Sequence, residues 1–528
     1  MTLLDSAPSW WTKIPEPVVS ATRDFDKRHS ERTERARKVQ FMAQKDMLSN
    51  RKSAALRREI FEVNTNRYVA PVHRAAPIVK AAPARVKKVV VEKAAFDLRN
   101  TIWAARCTWC DSKDFYDSLE VKQKRFALDW QNCIDSLGLA KIIGKSGAEG
   151  EGDDTERAEN VGAVLWEFAD LVFRLFTYYA SLGDDLFGLS FNEWLMFVDE
   201  QKLGDKRSKL CKKRDLERVF IAVDTVSDRY WKGMRKAIID KEKAGKLKDE
   251  QGNAMTASAM LKKHDETDKI KALSRVEFTG ALVHVAISKY ILSGELTDVS
   301  EGVRRLLTRA IQPHSSTILD PDQFRRDHCY TEAVIEVLER HEPSLRNIFT
   351  GVAGVGGRSG LGSGLISLEE WVSFLDALQC ISIDLTQRDA SFAFAWSRMA
   401  VINGRSERGN QRETCLPFEG FLEAVCRIAM LKSLPTDDEI KAAKMPHAFA
   451  YMAQLKENEE EKYIALLQAR ATRWGELPDT QPVHRCVEHM ITYIISKMED
   501  ETSGTDNLVL SEAEAIAWFK AKNLHRHS

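Results

Sequence analysis

Four times in 528 residues the chain repeats one phrase: an aliphatic residue, Ser or Pro, two variable residues, Glu or Gly, an aromatic, then an amphipathic run. The copies are Leu189-Ser-Phe-Asn-Glu193-Trp, Leu273-Ser-Arg-Val-Glu277-Phe, Ile366-Ser-Leu-Glu-Glu370-Trp and Leu416-Pro-Phe-Glu-Gly420-Phe. Ordered recurrence of this kind marks a repeated supersecondary unit, which narrows the fold more than any single motif. Around the phrases the pattern is helical. From about Phe96 onward apolar residues recur at three- and four-residue spacing, as in Trp166, Val172, Phe173 and Phe176 or Val334, Ile335, Leu338 and Leu345, and period-two alternation is nearly absent. No proline falls between Pro83 and Pro313, which leaves room for long helices. The expected fold class is all-α.

Charge divides the chain at the same place as helical pattern does. The formal net charge is zero, yet residues 1–100 hold 21 Lys+Arg against 11 Asp+Glu, so a basic arm precedes an acidic body. The arm has no glycine and holds Pro8, Pro15, Pro17, Pro71, Pro77 and Pro83. Trp10 and Trp11 sit side by side near its start and need a partner surface or the body of the same chain. From Ala21 to Glu62 a composition rich in Arg, Lys, Glu and Ala favours a long solvated helix. Three Ala-Pro hexads in register follow, starting at Ala70, Ala76 and Ala82. Each proline disfavours helix in the residue before it, so this strap is expected to be extended. At about 3.1 Å per residue it spaces Arg74, Lys80 and Arg85 at roughly 18 Å, with Lys87 and Lys88 at its end. Such an arm seeks an acidic surface or serves as a spacer whose charges keep it soluble.

The repeated phrase resembles the second half of an EF-hand. There the aliphatic residue joins a sister loop through a short β-bridge, the Ser caps the exiting helix, the Glu at position 12 chelates calcium with both oxygens, and the aromatic begins the core face. Asp215 to Asp224 and Ser344 to Val352 resemble the matching entering helices. The implied organisation is a basic N-terminal arm (1–95, helix plus strap), a helical lead-in (96–159), a degenerate EF-hand pair with a long insertion (160–292), a helical linker (293–329), a second degenerate pair (330–432), and a connector helix with a C-terminal helical unit (433–528).

Calcium needs oxygen ligands at loop positions 1, 3 and 5 and Glu at 12, with Gly at 6. The first loop, counted back from Glu193, has Leu186 and Phe187 where ligand and glycine belong. The second carries Lys271 in the glycine place, and its entering helix ends near Asp224, so an insertion splits it; Glu277 is left as a helix-start carboxylate. The third keeps Gly364 and Glu370 but offers Ser359, Leu361 and Ser363 for the acidic ligands. Ser359, Ser363 and Glu370 are therefore the weak metal candidates, for calcium at millimolar level at best. The fourth has Gly420 in place of the chelating Glu, and a fifth hand-like stretch, Asp500 to Trp518, has no ordered ligand set. No cofactor is expected.

Enzyme signals do not assemble. The run Gly351 to Gly364 lacks Gly-Lys-Ser/Thr and follows a helix instead of a strand. Cys107 and Cys110 have the gap of a zinc knuckle, but no second pair answers them. His484 and His489 do not share a helix face, and Asp327-His328-Cys329 diverges around one. Nine thinly spread cysteines suit reduced thiols, no apolar run is long enough for a membrane span, and the N-terminus lacks a signal-peptide pattern.

More narrowly, Cys415 to Ala429 preceded by Arg388 to Arg398 is similar to calcium-independent EF-hand proteins of protist ciliary and flagellar axonemes. That resemblance implies an architectural protein in the cytoskeleton, bound to tubulin of doublet microtubules, some members inside the lumen, and to neighbouring axonemal proteins. Trp10, Trp11, Arg74, Lys80, Arg85, Lys87 and Lys88 are then the expected partner contacts. A calcium-responsive adaptor using residues 359–370, or a scaffold for one soluble partner, are the alternatives. Nucleic acid is not expected, because the strap has no interleaved aromatics.

Overall fold

The computed structural model describes residues 96–146, 153–183, 186–205, 208–244, 256, 271–316, 318–355, 364–478, 480–504 and 507–522. The arm residues Trp10, Trp11, Arg74, Lys80, Arg85, Lys87 and Lys88, and Ser359 and Ser363 of the third loop, lie outside these.

A serine starts the first long helix: the Ser118 hydroxyl accepts from the Val121 N–H, and α1 spans Leu119–Leu137. Next come α2 (Leu139–Ser146), α3 (Asp154–Glu167), α4 (Ala169–Ala180), β1 (Leu189–Ser190), α5 (Phe191–Glu200), α6 (Lys213–Lys243), β2 (Ala272–Leu273), α7 (Arg275–Ala286) and α8 (Val299–Arg305). The second half continues with α9 (Pro321–Phe324), α10 (Glu332–Arg340), α11 (Glu342–Val355), β3 (Ile366–Ser367), α12 (Leu368–Ala377), α13 (Gln387–Ser397), α14 (Glu407–Thr414), β4 (Cys415–Leu416) and α15 (Phe418–Leu431). It closes with α16 (Asp437–Ala442), α17 (Ala448–Asn458), α18 (Glu460–Arg470), α19 (Val483–Thr502) and α20 (Glu512–Ala521). The described chain is predominantly helical.

The four phrases pair two by two. β1 lies antiparallel to β2 with Leu189 opposite Leu273, and β3 antiparallel to β4 with Ile366 opposite Leu416. All four aliphatic residues are fully buried. The aromatic after each phrase then repeats one geometry. Trp194 meets Phe278 edge-on at 6.4 Å, and Trp371 meets Phe421 edge-on at 6.0 Å. Each tryptophan also needs a home for its indole N–H, since a buried donor left unpaired is costly. Trp194 donates to the carbonyl of Leu216 and Trp371 to that of Ala390, both at 3.0 Å. These acceptors are the fourth residues of α6 and α13, so the two units satisfy the same donor in the same way.

Two apolar cores result. The first gathers α1 to α8, and the second gathers α10 to α13 and α15 with α17 to α20. The stretch 96–159 serves both: Ile102, Trp103 and Phe115 enter the second core, while Phe126 and Trp130 of α1 enter the first. Residues 293–329 are likewise shared, since Leu306 and Ile311 pack in the first core and Cys329 in the second. The expected single connector helix after residue 433 is instead α16, α17 and α18. It breaks before Pro446, where Lys444 has φ 57, and again at Glu459, whose φ of −143 leaves the helical region.

Each phrase pair has its apolar side covered by the chain itself. α1 packs on α6 and α7; α19 packs against α10 and α15, and α20 against α11. Phe374 of α12 contacts both Trp518 and Phe519 of α20, at 6.2 and 6.0 Å. The fit depends on two glycines. A Cβ at Gly280 would stand 2.3 Å from the Leu137 side chain, and one at Gly351 would stand 2.1 Å from the Phe519 ring. Among the described residues no helix is long and apolar enough to cross a membrane.

Replacing Gly351 by Val should therefore push Phe519 out of its seat and cost about 1–3 kcal/mol, the usual penalty of overpacking. Urea unfolding measures the loss, and limited proteolysis should cut between α19 and α20 faster than in wild type.

Candidate functional site

The helix-start glutamates are engaged by their own helices. The Glu277 carboxylate accepts from the Ser274 N–H at 2.6 Å and the Glu370 carboxylate from the Ser367 N–H at 2.7 Å, while each serine hydroxyl accepts from the glutamate N–H in return. This reciprocal cap satisfies two main-chain donors that no turn of helix could reach. Burial holds the Glu277 carboxyl above its ordinary range although Ser227 and Ser274 bond it. At the first phrase the Ser190 hydroxyl donates to the Glu193 carboxylate. Of the three metal candidates only Glu370 lies among the described residues, and this is its setting. Among the described residues no three His, Cys, Asp or Glu side chains converge as a metal site. Cys107 and Cys110 are free thiols, Cys110 donating to the Asp114 carbonyl at 3.1 Å.

The densest chemistry lies elsewhere, in a buried ionic cluster. Glu423, on a helix whose fourteen residues are all buried, accepts from Arg106 at 2.5 Å, Arg325 at 3.0 Å and Arg427 at 2.6 Å. Arg325 also bonds Asp322 at 2.7 Å, and Asp322 accepts from the Asp117 N–H at 3.2 Å. Three guanidinium groups thus face the carboxylates of Glu423, Asp322 and Asp117, with the surplus donors of Arg106 and Arg325 taken by the carbonyls of Ser397 and Arg398. Burial by itself would raise the Glu423 carboxyl, but Arg325, Arg106 and Arg427 outweigh it and hold it down at about 2. For Asp117 burial prevails and the carboxyl is raised.

A second ionic group ties the two halves along a cleft of about 600 Å³. Arg275 at the start of α7 binds Asp129 of α1 at 2.6 Å and Glu413 of α14 at 2.7 Å. Arg125 stacks over Phe173 at 4.6 Å. Burial opposes the Glu413 charge, yet Arg275 and Arg125 keep its carboxyl below the ordinary range. Beside it Tyr178 stacks on Phe392 at 5.1 Å and Arg405 covers Trp231 at 4.2 Å, so both halves contribute to the seam.

Sequence reasoning missed both ionic groups. Glu423 and Arg427 did leave a signal, an opposite-charge pair four residues apart inside a largely apolar helix, where neither can reach water. Arg106 and Arg325 left none, because they meet Glu423 across 317 and 98 residues.

Scanned against protein-family models, the chain matches none, and comparison with curated proteins and with solved structures gives no match either.

Removing one member of a buried ionic cluster strands the rest. Glu423→Gln should lower stability by about 3–5 kcal/mol in urea unfolding. Acid should act on wild type in the same sense. Glu423 titrates near 4.5 unfolded and about 2 folded, so its contribution is full above 4.5 and is lost as pH falls toward 2. His284, His328 and His341, each lowered by burial from 6.5, lose stability in the same direction, beginning below 6.5. Melting temperature should fall stepwise from pH 7 downward, with the lower step smaller in Glu423→Gln and the remainder due to carboxylates such as Glu413.

Proposed function

We propose that the chain is an architectural, calcium-insensitive protein of EF-hand type that binds doublet microtubules of the ciliary or flagellar axoneme, with tubulin and neighbouring axonemal proteins as partners and no catalytic role. The observation that carries this reading is the pair of bridged phrase units whose helix-start glutamates cap their own helices and whose apolar sides are filled by α1 and by α19 and α20. A calcium sensor exposes an apolar groove when the ion opens its helix pair. A unit that closes that face with its own helices suits a fixed scaffold better. The resemblance read in residues 388–429 supports an axonemal location, and the basic arm offers a complement to acidic tubulin. In this reading attachment uses outer surfaces and the arm, with Arg74, Lys80, Arg85, Lys87 and Lys88 along the polymer and Trp10 and Trp11 as anchors.

One observation favours the calcium-responsive alternative. Gly364 has φ 56, the left-handed conformation that the sharp turn at position 6 of such a loop requires, and Glu370 follows at the chelating place.

Two measurements separate the readings. Replacing Arg74, Lys80, Arg85, Lys87 and Lys88 by Gln should reduce cosedimentation with microtubules and flatten its salt dependence; an unchanged salt series would remove the arm from the proposal. Calorimetry with calcium at millimolar concentration should give no binding heat with wild type, whereas saturable heat that Glu370→Gln abolishes would establish the adaptor instead.

A further inference from the structure

α6, at 31 residues the longest helix among the described residues, has two opposite faces of different character. At about 100° per residue, its buried Leu216, Phe220, Val223 and Ile238 fall on one side. The opposite side, about 80° of the circumference, carries Arg214, Arg218, Arg229, Lys232, Lys236 and Lys243, all exposed. The other residues of that band are Ile221, Thr225 and Ile239, exposed as well. No carboxylate of α6 falls within it, since Asp215 and Asp240 flank it on one side and Asp228 on the other. A solvated helix face ordinarily interleaves both signs of charge. Residues 101–528 moreover hold 57 Lys+Arg against 67 Asp+Glu, so six cations without a carboxylate reverse the sign of the body at this place. Arg218 and Lys232 reach Asp215 and Asp228 at 3.4 and 3.2 Å, in water-exposed pairs that hold a cation only weakly.

We propose that this face of α6 is a docking surface for an extended acidic segment of another protein. Charge complementarity selects the occupant: a one-signed row of cations attracts a one-signed row of carboxylates and steers its approach. From Arg214 to Lys243 the row is about 44 Å long at the helical rise of about 1.5 Å per residue, the span of about thirteen extended residues. Ile221 and Ile239, 56 and 38 % exposed, give apolar side chains of such a segment two points of contact among the cations. The band has no aromatic residue on which single-stranded bases could stack. Its two isoleucines are also far less apolar surface than a helix uses to lie in a lipid interface. Nothing in this inference depends on the axonemal reading.

The test is fluorescence anisotropy of a labelled Glu-rich peptide of about thirteen residues, titrated at low ionic strength with the full chain. Arg74, Lys80, Arg85, Lys87 and Lys88 are first replaced by Gln, so that the basic arm does not mask the helix. Saturable, salt-sensitive binding is expected. Replacing Arg229, Lys232, Lys236 and Lys243 by Gln should weaken it at least about tenfold and flatten its salt dependence. Replacing four exposed lysines elsewhere, Lys441, Lys456, Lys462 and Lys520, by Gln removes the same charge and should change affinity less than about twofold. All eight positions are exposed, and circular dichroism checks that both variants fold. No saturable binding, or equal loss in the two variants, overturns the surface. Tighter binding of phosphatidylserine vesicles or single-stranded RNA through the same four residues overturns the acidic protein segment as occupant. So does a concentration-dependent dimer, seen by sedimentation, that the α6 variant alone abolishes, since a second copy then covers the face.

Discussion

Glu423 has no exposed surface, and it is the point where three stretches of the chain are fixed to one another. Arg106 brings the turn that precedes α1, Arg325 the segment after α9, and Arg427 the next turn of α15 itself. Desolvating four charges is expensive, and the cost is offset only when geometry is good and every remaining donor is bonded. Carbonyls of Ser397, Trp396 and Arg398, on or just after α13, take donors of Arg106 and Arg325, while the Arg106 Nε is buried without a hydrogen-bond partner. The end of α13, the turn at 106–109 and α9 therefore hold one register. Lys432 and Asp384 repeat the device at the far end of α15, 3.0 Å apart and buried, with the Cys380 carbonyl taking a further donor at 2.9 Å. α15 is thus clamped at its middle and its end, and the aromatic contacts of Phe421 with Trp371 and Phe374 are held from both sides.

With that helix fixed, the repetition between the two halves becomes a packing rule. Trp194 and Trp371 occupy equivalent places, donate to equivalent carbonyls, and meet equivalent partners, Phe278 and Phe421. The halves differ in what covers them. α1 comes from before the first pair and α19 with α20 from after the second, while Ile102, Trp103 and Phe115, ahead of α1, pack in the core of the second. A paired-helix unit that fills its own apolar face is rigid at the place where a sensor would open. The seam between halves is polar instead, built on Arg275, Asp129 and Glu413 around a cleft of about 600 Å³.

Much of this architecture could be read from the residues, and the reasons are local. The phrase Leu273-Ser-Arg-Val-Glu277 carries its own cap, because a serine and a glutamate three apart bond each other's main chain wherever a helix begins. Helical spacing of Trp194, Phe197, Trp371 and Phe374 marks them as core for the same reason. The connector after residue 433 failed that logic: its charged stretch reads as one helix, and Pro446 together with the extended φ at Glu459 divides it. The lead-in and linker also crossed their expected boundaries, since nothing local says which of two cores will receive Trp103 or Leu306.

By itself, then, the sequence determined the helical class, the four bridge-and-helix starts, and the lack of a complete calcium ligand set in any loop, because each follows from residues within a few positions of one another. Only the tertiary structure decided that the pairs are closed by α1, α19 and α20, and that Glu423 gathers three arginines. Those outcomes are set by contacts between residues hundreds of positions apart, whose pairing depends on which faces pack and on how buried charge must be balanced.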